Sequence, residues 1–459
     1  MNTPFIILFA SIIISLFLIF LSRKTQYQWI LFSSSSIERF SLLFLGITFT
    51  PILIFGTLVS FITIFREIKS TKKLFIPRGL LLGIVLIGIS CFLTSVFSPY
   101  RYISLKASLY YFIYLILLLG QYTLIRKIQR LQIISTAMLF ALGGFVIYGF
   151  LQEIRFLFNM YPDIFSFVTP YSNALSPLDF IFHIDRHTFL RPNSGFNDVN
   201  TAAGFLLLYI PSFIVFTCIN FKEELRSRYY SYIYLVVLIS SILLLILMNS
   251  RSSILSLGVL SLIAIVYYIS KFRKNKQLLI LGIILSCIIF LGIFEHSFFS
   301  RMILQIYHAE YSAQAHIFYS KAALNEFTTY PFFGGGSGSF AKYYHEQMLL
   351  GKVPYADSVD NPPLFLKLLA ENGILGLFSF AALLSYPLVK TFKLLKMTNN
   401  KKYKLVVFAA LFGYVAILSA NLLHAYFFLF FTSIYIGYYV GILDNTAINQ
   451  DKKNEEKIR

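Results

Sequence analysis

Long, nearly charge-free apolar stretches recur along this chain, about 18 to 23 residues at a time, each long enough to cross a hydrocarbon layer of about 30 Å as a helix. Such stretches lie at 4–22, 41–64, 79–97, 104–125, 131–151, 200–220, 229–248, 252–270, 277–294, 364–389, 403–422 and 424–445. They predict an all-α, polytopic transmembrane bundle of about twelve helices. A closed β-barrel would show short alternating segments instead. Composition agrees: 57% of residues are hydrophobic and only 13% charged, a balance that no water-soluble core of ordinary size accommodates. The first stretch, at 5–21, lacks a basic leader and a small-residue cleavage site, so it reads as a retained helix.

A formal net charge of +19 raises nucleic acid as a partner, but no RNA- or DNA-binding motif accompanies it, and that class is set aside. The basic residues instead cluster between apolar runs. Loops after the even-numbered spans, together with the C-terminal tail, hold 25 of the 39 Lys and Arg. The tight groups Arg66, Lys69, Lys72, Lys73, Arg78 and Lys390, Lys393, Lys396, Lys401, Lys402, Lys404 are examples. By the positive-inside rule both termini are expected in the cytoplasm, with Arg23 and Lys24 against the trend. Cys91, Cys218 and Cys287 all fall inside apolar stretches and read as packing residues, not as a disulfide or metal framework.

The organisation expected is helices 1–5 over 1–155, an outer loop at 156–199, helices 6–9 over 200–294, a large outer loop at 295–363, helices 10–12 over 364–445 and a cytoplasmic tail at 446–459. Loops this long are uncommon without a function. No period of about 20 to 50 residues recurs, and no inverted repeat is visible.

Four segments carry the residues suited to chemistry. At 191–200, Arg191 stands at the membrane surface, Pro192 and Gly195 mark a turn, and Asp198 or Asn200 caps the next helix. A capped loop with an interfacial arginine reads equally well. At 249–253, Arg251 lies in a tight turn among Asn249, Ser250, Ser252 and Ser253, with no acidic neighbour in sequence; it needs an anion, either a lipid head group or a substrate diphosphate. In the large loop, a helical pattern from His316 to Asn325 leads into Pro331 and glycines 334, 335, 336 and 338. The Lys-Ser/Thr ending of a nucleotide-binding loop is missing, so this reads as a tight turn with exposed backbone. Last, Asp360 and Asn361 precede a proline-initiated helix that is expected to break at Gly373. That helix carries Glu371, a carboxylate in an apolar setting that marks either a partner for one of the arginines or a helix-packing bond, the first being preferred.

Together these segments resemble the O-antigen ligase and O-antigen polymerase superfamily of bacterial envelope glycosyltransferases, over about 190 to 380. The resemblance rests on Arg191, Gly195 and Asn200; on Ser250 and Arg251; on Pro331, Gly334, Gly336, Gly338 and Phe340; and on Leu369, Glu371, Gly373 and Gly376. Two departures stand out. The family's His-Asn pair falls where this chain has Pro362 and Pro363, just after Asp360 and Asn361, and the arginine usual before the middle-loop helix is absent near Ala315 and His316. Either shifted residues carry those roles, or the activity differs from that of the familiar ligases.

The resemblance implies metal-independent transfer of a glycan from an undecaprenyl-diphosphate carrier to an acceptor hydroxyl on the outer face of the bacterial inner membrane, with no cofactor. The acceptor is a lipid, a glycan or a protein, and membrane lipids are the remaining partners. Arg251 and Arg191 suit the leaving diphosphate. Asp360 first, then His316, are the candidate bases. Asn200, Asn361, Glu371, Gly336 and Gly338 complete the expected donor site, and Tyr161, Phe165, Phe167 and Tyr171 are placed to stack on sugar rings. A polymerase joining repeat units is the alternative within the class. A lipid-linked glycan transporter is the rival outside it, although the spans are nearly free of the mid-bilayer charges a transporter uses. A membrane scaffold is a third reading.

Overall fold

The computed structural model of the chain describes residues 32, 35, 42–44, 47–50, 52–128, 131–157, 192, 194, 196, 198–223, 228–248, 250, 253, 256, 311–355, 359, 361–398, 400–421 and 430–458. A short antiparallel hairpin, β1 (Leu42–Phe44) and β2 (Ile47–Phe49), comes first. Among the described residues eleven α-helices follow: α1 (Thr57–Thr71), α2 (Arg78–Phe97), α3 (Arg101–Arg126), α4 (Leu131–Leu157), α5 (Val199–Glu223), α6 (Arg228–Met248), α7 (Tyr311–Thr329), α8 (Phe340–Leu349), α9 (Leu364–Met397), α10 (Lys401–Ala420) and α11 (Phe430–Ile458). The architecture is a polytopic helical bundle. Among the described residues seven helices, α2 to α6, α9 and α10, are long and apolar enough to cross a membrane.

Local sequence sets the helix ends. Ser98 is extended (φ −64°, ψ 136°) because Pro99 follows it and disfavours helical geometry at the preceding residue, and so α2 stops there. Pro363 opens α9, where its missing N–H costs nothing. The Asn400 side chain accepts the Lys402 amide at 3.0 Å and starts α10. The expected span at 41–64 is corrected. The chain forms the hairpin first and becomes α-helical only at Thr57, because a β-branched and aromatic run interrupted by Gly46 suits two short strands. The stretches at 4–22, 252–270 and 277–294 lie outside the residues that form described elements.

α11 occupies the centre of the bundle. Its residues 431–446 are all buried, yet eight of them carry polar tips: Thr432, Ser433, Tyr435, Tyr438, Tyr439, Asp444, Asn445 and Thr446. Neighbouring helices satisfy these tips: Tyr435 donates to the Ala410 carbonyl at 2.9 Å, Tyr122 of α3 donates to Asp444 at 2.7 Å, and Tyr439 pairs with Thr391. Small residues let α11 lie close on α3, since a Cβ at Gly437 would stand 2.4 Å from the Leu118 carbonyl oxygen, the small-residue contact that membrane helices favour. By contrast α2 turns a stripe of Leu82, Val85, Ile89 and Phe92 outward, at helical spacing, as a lipid-facing surface would be.

The two ends of the bundle differ. At one end Glu67, 4% exposed, is paired with Arg126 at 3.3 Å and with Lys127, and Lys390 is paired with Asp444. Asn445 donates to the carbonyls of Ile125, Arg126 and Ile128 and so closes the C-terminal end of α3. The opposite end carries α7, α8 and the break in α9.

Candidate active site

Between α7 and α8 the glycine turn folds into an elbow in α9. The expected break at Gly373 is present, with φ +64° and ψ −164°, a conformation that side chains with a Cβ rarely adopt. A Cβ there would come within 2.4 Å of the Phe332 carbonyl oxygen. Gly334 answers it from the other side, with φ +74° and a hypothetical Cβ 2.3 Å from the Glu371 carbonyl carbon. Backbone bonds staple the two segments: Gly335 to Ala370 at 2.8 Å, Gly336 to Glu371 at 2.9 Å and, in return, Ile374 to Pro331 at 3.0 Å. The helical ladder of α9 is broken at the elbow, and the turn supplies the missing partners.

Every amide from Gly334 to Ser339 donates within the protein. Gly334 donates to Tyr330, Gly335 and Gly336 to α9, Ser337 to the Ser104 hydroxyl at 3.1 Å, Gly338 to the Glu371 carboxylate at 2.9 Å and Ser339 to Gly336. Gly336 and Gly338, expected to meet substrate, therefore use their amides to hold the turn in place. An open anion-binding nest needs such amides unengaged.

Glu371 is 2% exposed; its Oε2 takes the Gly338 amide, and its Oε1 lies 3.8 Å from Lys367 Nζ. Lys367 in turn donates to Asn361 Oδ1 at 2.5 Å. A continuous polar chain thus runs from Asn361 through Lys367 and Glu371 to the glycine turn. Among the described residues Glu371 is paired with this lysine; Arg191 and Arg251, its expected partners, lie outside them. One turn of helix separates 367 from 371, so the pair was available from spacing alone. Beside it, Asn372 donates to Ser337 Oγ at 2.7 Å.

The link between α2 and α3 supports the turn from a third side, which the sequence reading missed. Ser98 Oγ donates to the Gly335 carbonyl at 2.6 Å and also accepts the Tyr100 amide at 2.9 Å. Phe97 stacks on Phe333 at 4.7 Å, and Tyr100 donates to Glu346 of α8 at 2.5 Å. Burial first, and then the Glu346 carboxylate, push the Tyr100 hydroxyl pKa up. Serines at 95, 98, 104 and 108 are the only signal in sequence, and hydroxyls in apolar helices more often bond to their own helix.

Glu326, near the end of α7, was also missed. It is fully buried, Ser339 donates to its Oε1 at 2.6 Å, and among the described residues its Oε2 has no hydrogen-bond partner. Burial raises its pKa to about 8, with the Glu371 and Glu346 carboxylates adding to the shift and the Ser339 bond opposing it.

The other expected residues are dispersed. His316 packs edge-on against Tyr319 in the first half of α7, ten residues before Glu326 and so about 15 Å along the helix from it. Asp198, not Asn200, caps α5: its Oδ2 accepts both the amide and the hydroxyl of Thr201, at 2.8 and 3.2 Å. Asn200 follows in the first turn, half-buried. Ser194 is held by Gln152 of α4 at 3.0 Å, and Phe196 inserts among Phe145, Phe205 and Phe431. Arg191, Arg251 and Asp360, and the loop aromatics Tyr161, Phe165, Phe167 and Tyr171, lie outside the described residues. Among the described residues no group of three or more His, Cys, Asp or Glu is placed to hold a metal.

Fold and site define a multi-pass membrane protein whose loop between α7 and α8 is locked into a broken transmembrane helix. A family model described as O-antigen ligase matches residues 235–381, a stretch that includes α7, α8 and the elbow of α9. Over that stretch, about a third of the chain, the sequence is similar to O-antigen ligases. No curated protein matched the chain.

Proposed function

We propose that this protein transfers a glycan from an undecaprenyl-diphosphate carrier to an acceptor hydroxyl on the outer face of a bacterial inner membrane, as an O-antigen ligase does. The observation that carries this reading is the polar chain Asn361–Lys367–Glu371–Gly338. It ties the residue next to Asp360 to the glycine turn, inside the stretch that matches the family.

In the proposed reaction the acceptor oxygen attacks the anomeric carbon of the donor sugar. The bond from that carbon to the diphosphate oxygen breaks, and the hydroxyl proton passes to the Asp360 carboxylate. Arg251 and Arg191 take up the charge that develops on the leaving diphosphate, without a metal. Asp360 is preferred to His316 because Asp360 adjoins the polar chain, whereas His316 packs against Tyr319. Asn361, Glu371, Gly336 and Gly338 act as positioning residues, and Asn200 lies in the helix turn that Asp198 caps. The donor is a lipid-linked glycan; the acceptor is a lipid, glycan or protein hydroxyl. Both termini are assigned to the cytoplasm, because the basic clusters gather at the bundle end opposite the glycine turn.

The test is the surface-glycan ladder of a strain lacking this protein, rescued at equal expression with wild type, Arg251→Ala or Asp360→Asn. Polymerised glycan that accumulates on its carrier and reaches the surface only with wild type supports ligation. A ladder collapsed to one repeat unit points to a polymerase. Full rescue by both variants rejects the assigned roles.

A further inference from the structure

We propose that Glu326 is a positioning residue that works as a neutral carboxyl, fixing the glycine turn against the α9 elbow through Ser339 and the underside of Gly335. For its consequence in transfer this rests on the function proposed above; for its structural content it does not.

Geometry carries the inference. The carboxyl is fully buried at the inner side of the turn, and Ser339 donates to its Oε1 at 2.6 Å. A Cβ at Gly335 would lie 2.2 Å from that same oxygen, so the turn is glycine where the carboxyl sits. Among the described residues Oε2 has no hydrogen-bond partner and Glu326 makes no ion pair. A carboxylate anion in such a place would carry the desolvation cost with one hydrogen bond, from Ser339, to offset it.

Every charged or titratable neighbour argues the same way. Glu346 of α8 and Glu371 of α9 both disfavour a negative charge on Glu326. Tyr100 from the α2–α3 link and Tyr343 from α8 face it as neutral phenols, and Tyr330 stands beside both of them. The lysines paired with those two carboxylates are Lys342, 3.6 Å from Glu346, and Lys367, 3.8 Å from Glu371. Glu326 also lies in the last turn of α7, where the helix dipole opposes an anion.

The sign of the pH effect follows by linkage. The pKa is raised from 4.5 to about 8 in the closed state, so the closed turn binds a proton that the opened turn releases. Closure is therefore favoured below about pH 4.5, weakens as pH rises towards about 8, and changes no further above that.

The experiment is hydrogen–deuterium exchange of peptides covering 330–340, on the full chain in lipid nanodiscs, with intrinsic exchange rates corrected for pH. Wild-type protection is expected to fall by at least about tenfold between pH 5.5 and 8, while Glu326→Gln, a neutral isostere, stays level. Glu326→Ala should lose protection at every pH, and Glu326→Gln should restore transfer where Glu326→Ala lowers it at least about tenfold. Parallel profiles for wild type and Glu326→Gln, or a Glu326→Gln turn as unprotected as that of Glu326→Ala, would overturn the proposal. A clear exchange difference in a wild-type chain that transfers no glycan would keep the positioning role and sink the transferase reading instead.

Discussion

Glu371 accepts the backbone amide of Gly338 at 2.9 Å across 33 residues of sequence, while its other oxygen faces Lys367. One buried carboxylate thus holds both the turn and the only described cation in the polar chain. Glu371→Ala removes both partners at once, and breaking a buried pair of this kind costs about 3–5 kcal/mol. The expected outcome is a lowered melting temperature of the detergent-solubilised protein and loss of ladder rescue. Glu371→Gln keeps an acceptor for Gly338 but leaves Lys367 without its counter-charge, so its melting temperature should fall between those of wild type and Glu371→Ala. An unchanged melting temperature in Glu371→Ala would remove Glu371 from this role.

The elbow makes a sharper prediction, because two glycine classes can be compared in one chain. Gly373→Ala meets backbone strain of about 1–3 kcal/mol in a φ/ψ region that essentially only glycine occupies, and its Cβ would press on the Phe332 carbonyl oxygen from 2.4 Å. We expect destabilisation and loss of function. Gly143→Ala and Gly144→Ala in α4 meet nothing within 4 Å, and each gains helix propensity of up to about 1 kcal/mol. Those two should melt at or above the wild-type temperature, and equal effects at all three sites would mean that the elbow is not a packed joint.

Much of this site was legible in the sequence, for physical reasons that differ by residue. The break at Gly373 and the turn at 331–338 announce themselves because Pro and Gly constrain backbone directly. The cap of α5 was narrowed to Asp198 or Asn200, and Asp198 took it because Asn200 already lies inside the first turn. Contacts of long sequence separation were hidden: Ser98 reaches Gly335 across 237 residues, and no local pattern encodes that. Glu326 reads on paper as one more polar position on a weakly amphipathic helix; only packing shows its burial. The centre of the bundle was obscured for a related reason. α11 is tyrosine-rich because its neighbours are helices with acceptors to offer, whereas hydropathy measures fitness for lipid.

Ser98 and Ser104 test whether the helices before the family-matched stretch belong to the site. Ser98→Ala leaves the Gly335 carbonyl without its donor, and Ser104→Ala leaves the Ser337 amide without its acceptor. Each loss is worth about 1–3 kcal/mol if the group stays buried and unmet. Both serines brace one turn, so the double variant should show a coupling energy of at least about 0.5 kcal/mol in a thermodynamic cycle. Strict additivity, with full ladder rescue by all three variants, would separate α2 and α3 from the site.

Sidedness gives the last prediction. Lys72 is exposed just past α1, at the end of the bundle that holds the Glu67–Arg126 pair. Lys352 is exposed just beyond α8, the helix that follows the glycine turn. If the basic clusters face the cytoplasm, Cys introduced at these two positions must label from opposite sides. In a chain with Cys91, Cys218 and Cys287 replaced by Ser, a membrane-impermeant maleimide added to intact spheroplasts should modify Lys352→Cys and spare Lys72→Cys. Permeabilisation should then expose the second site. The reverse pattern would put the glycine turn on the cytoplasmic side, where ATP and soluble sugar donors are at hand, and the lipid-linked donor would lose its rationale.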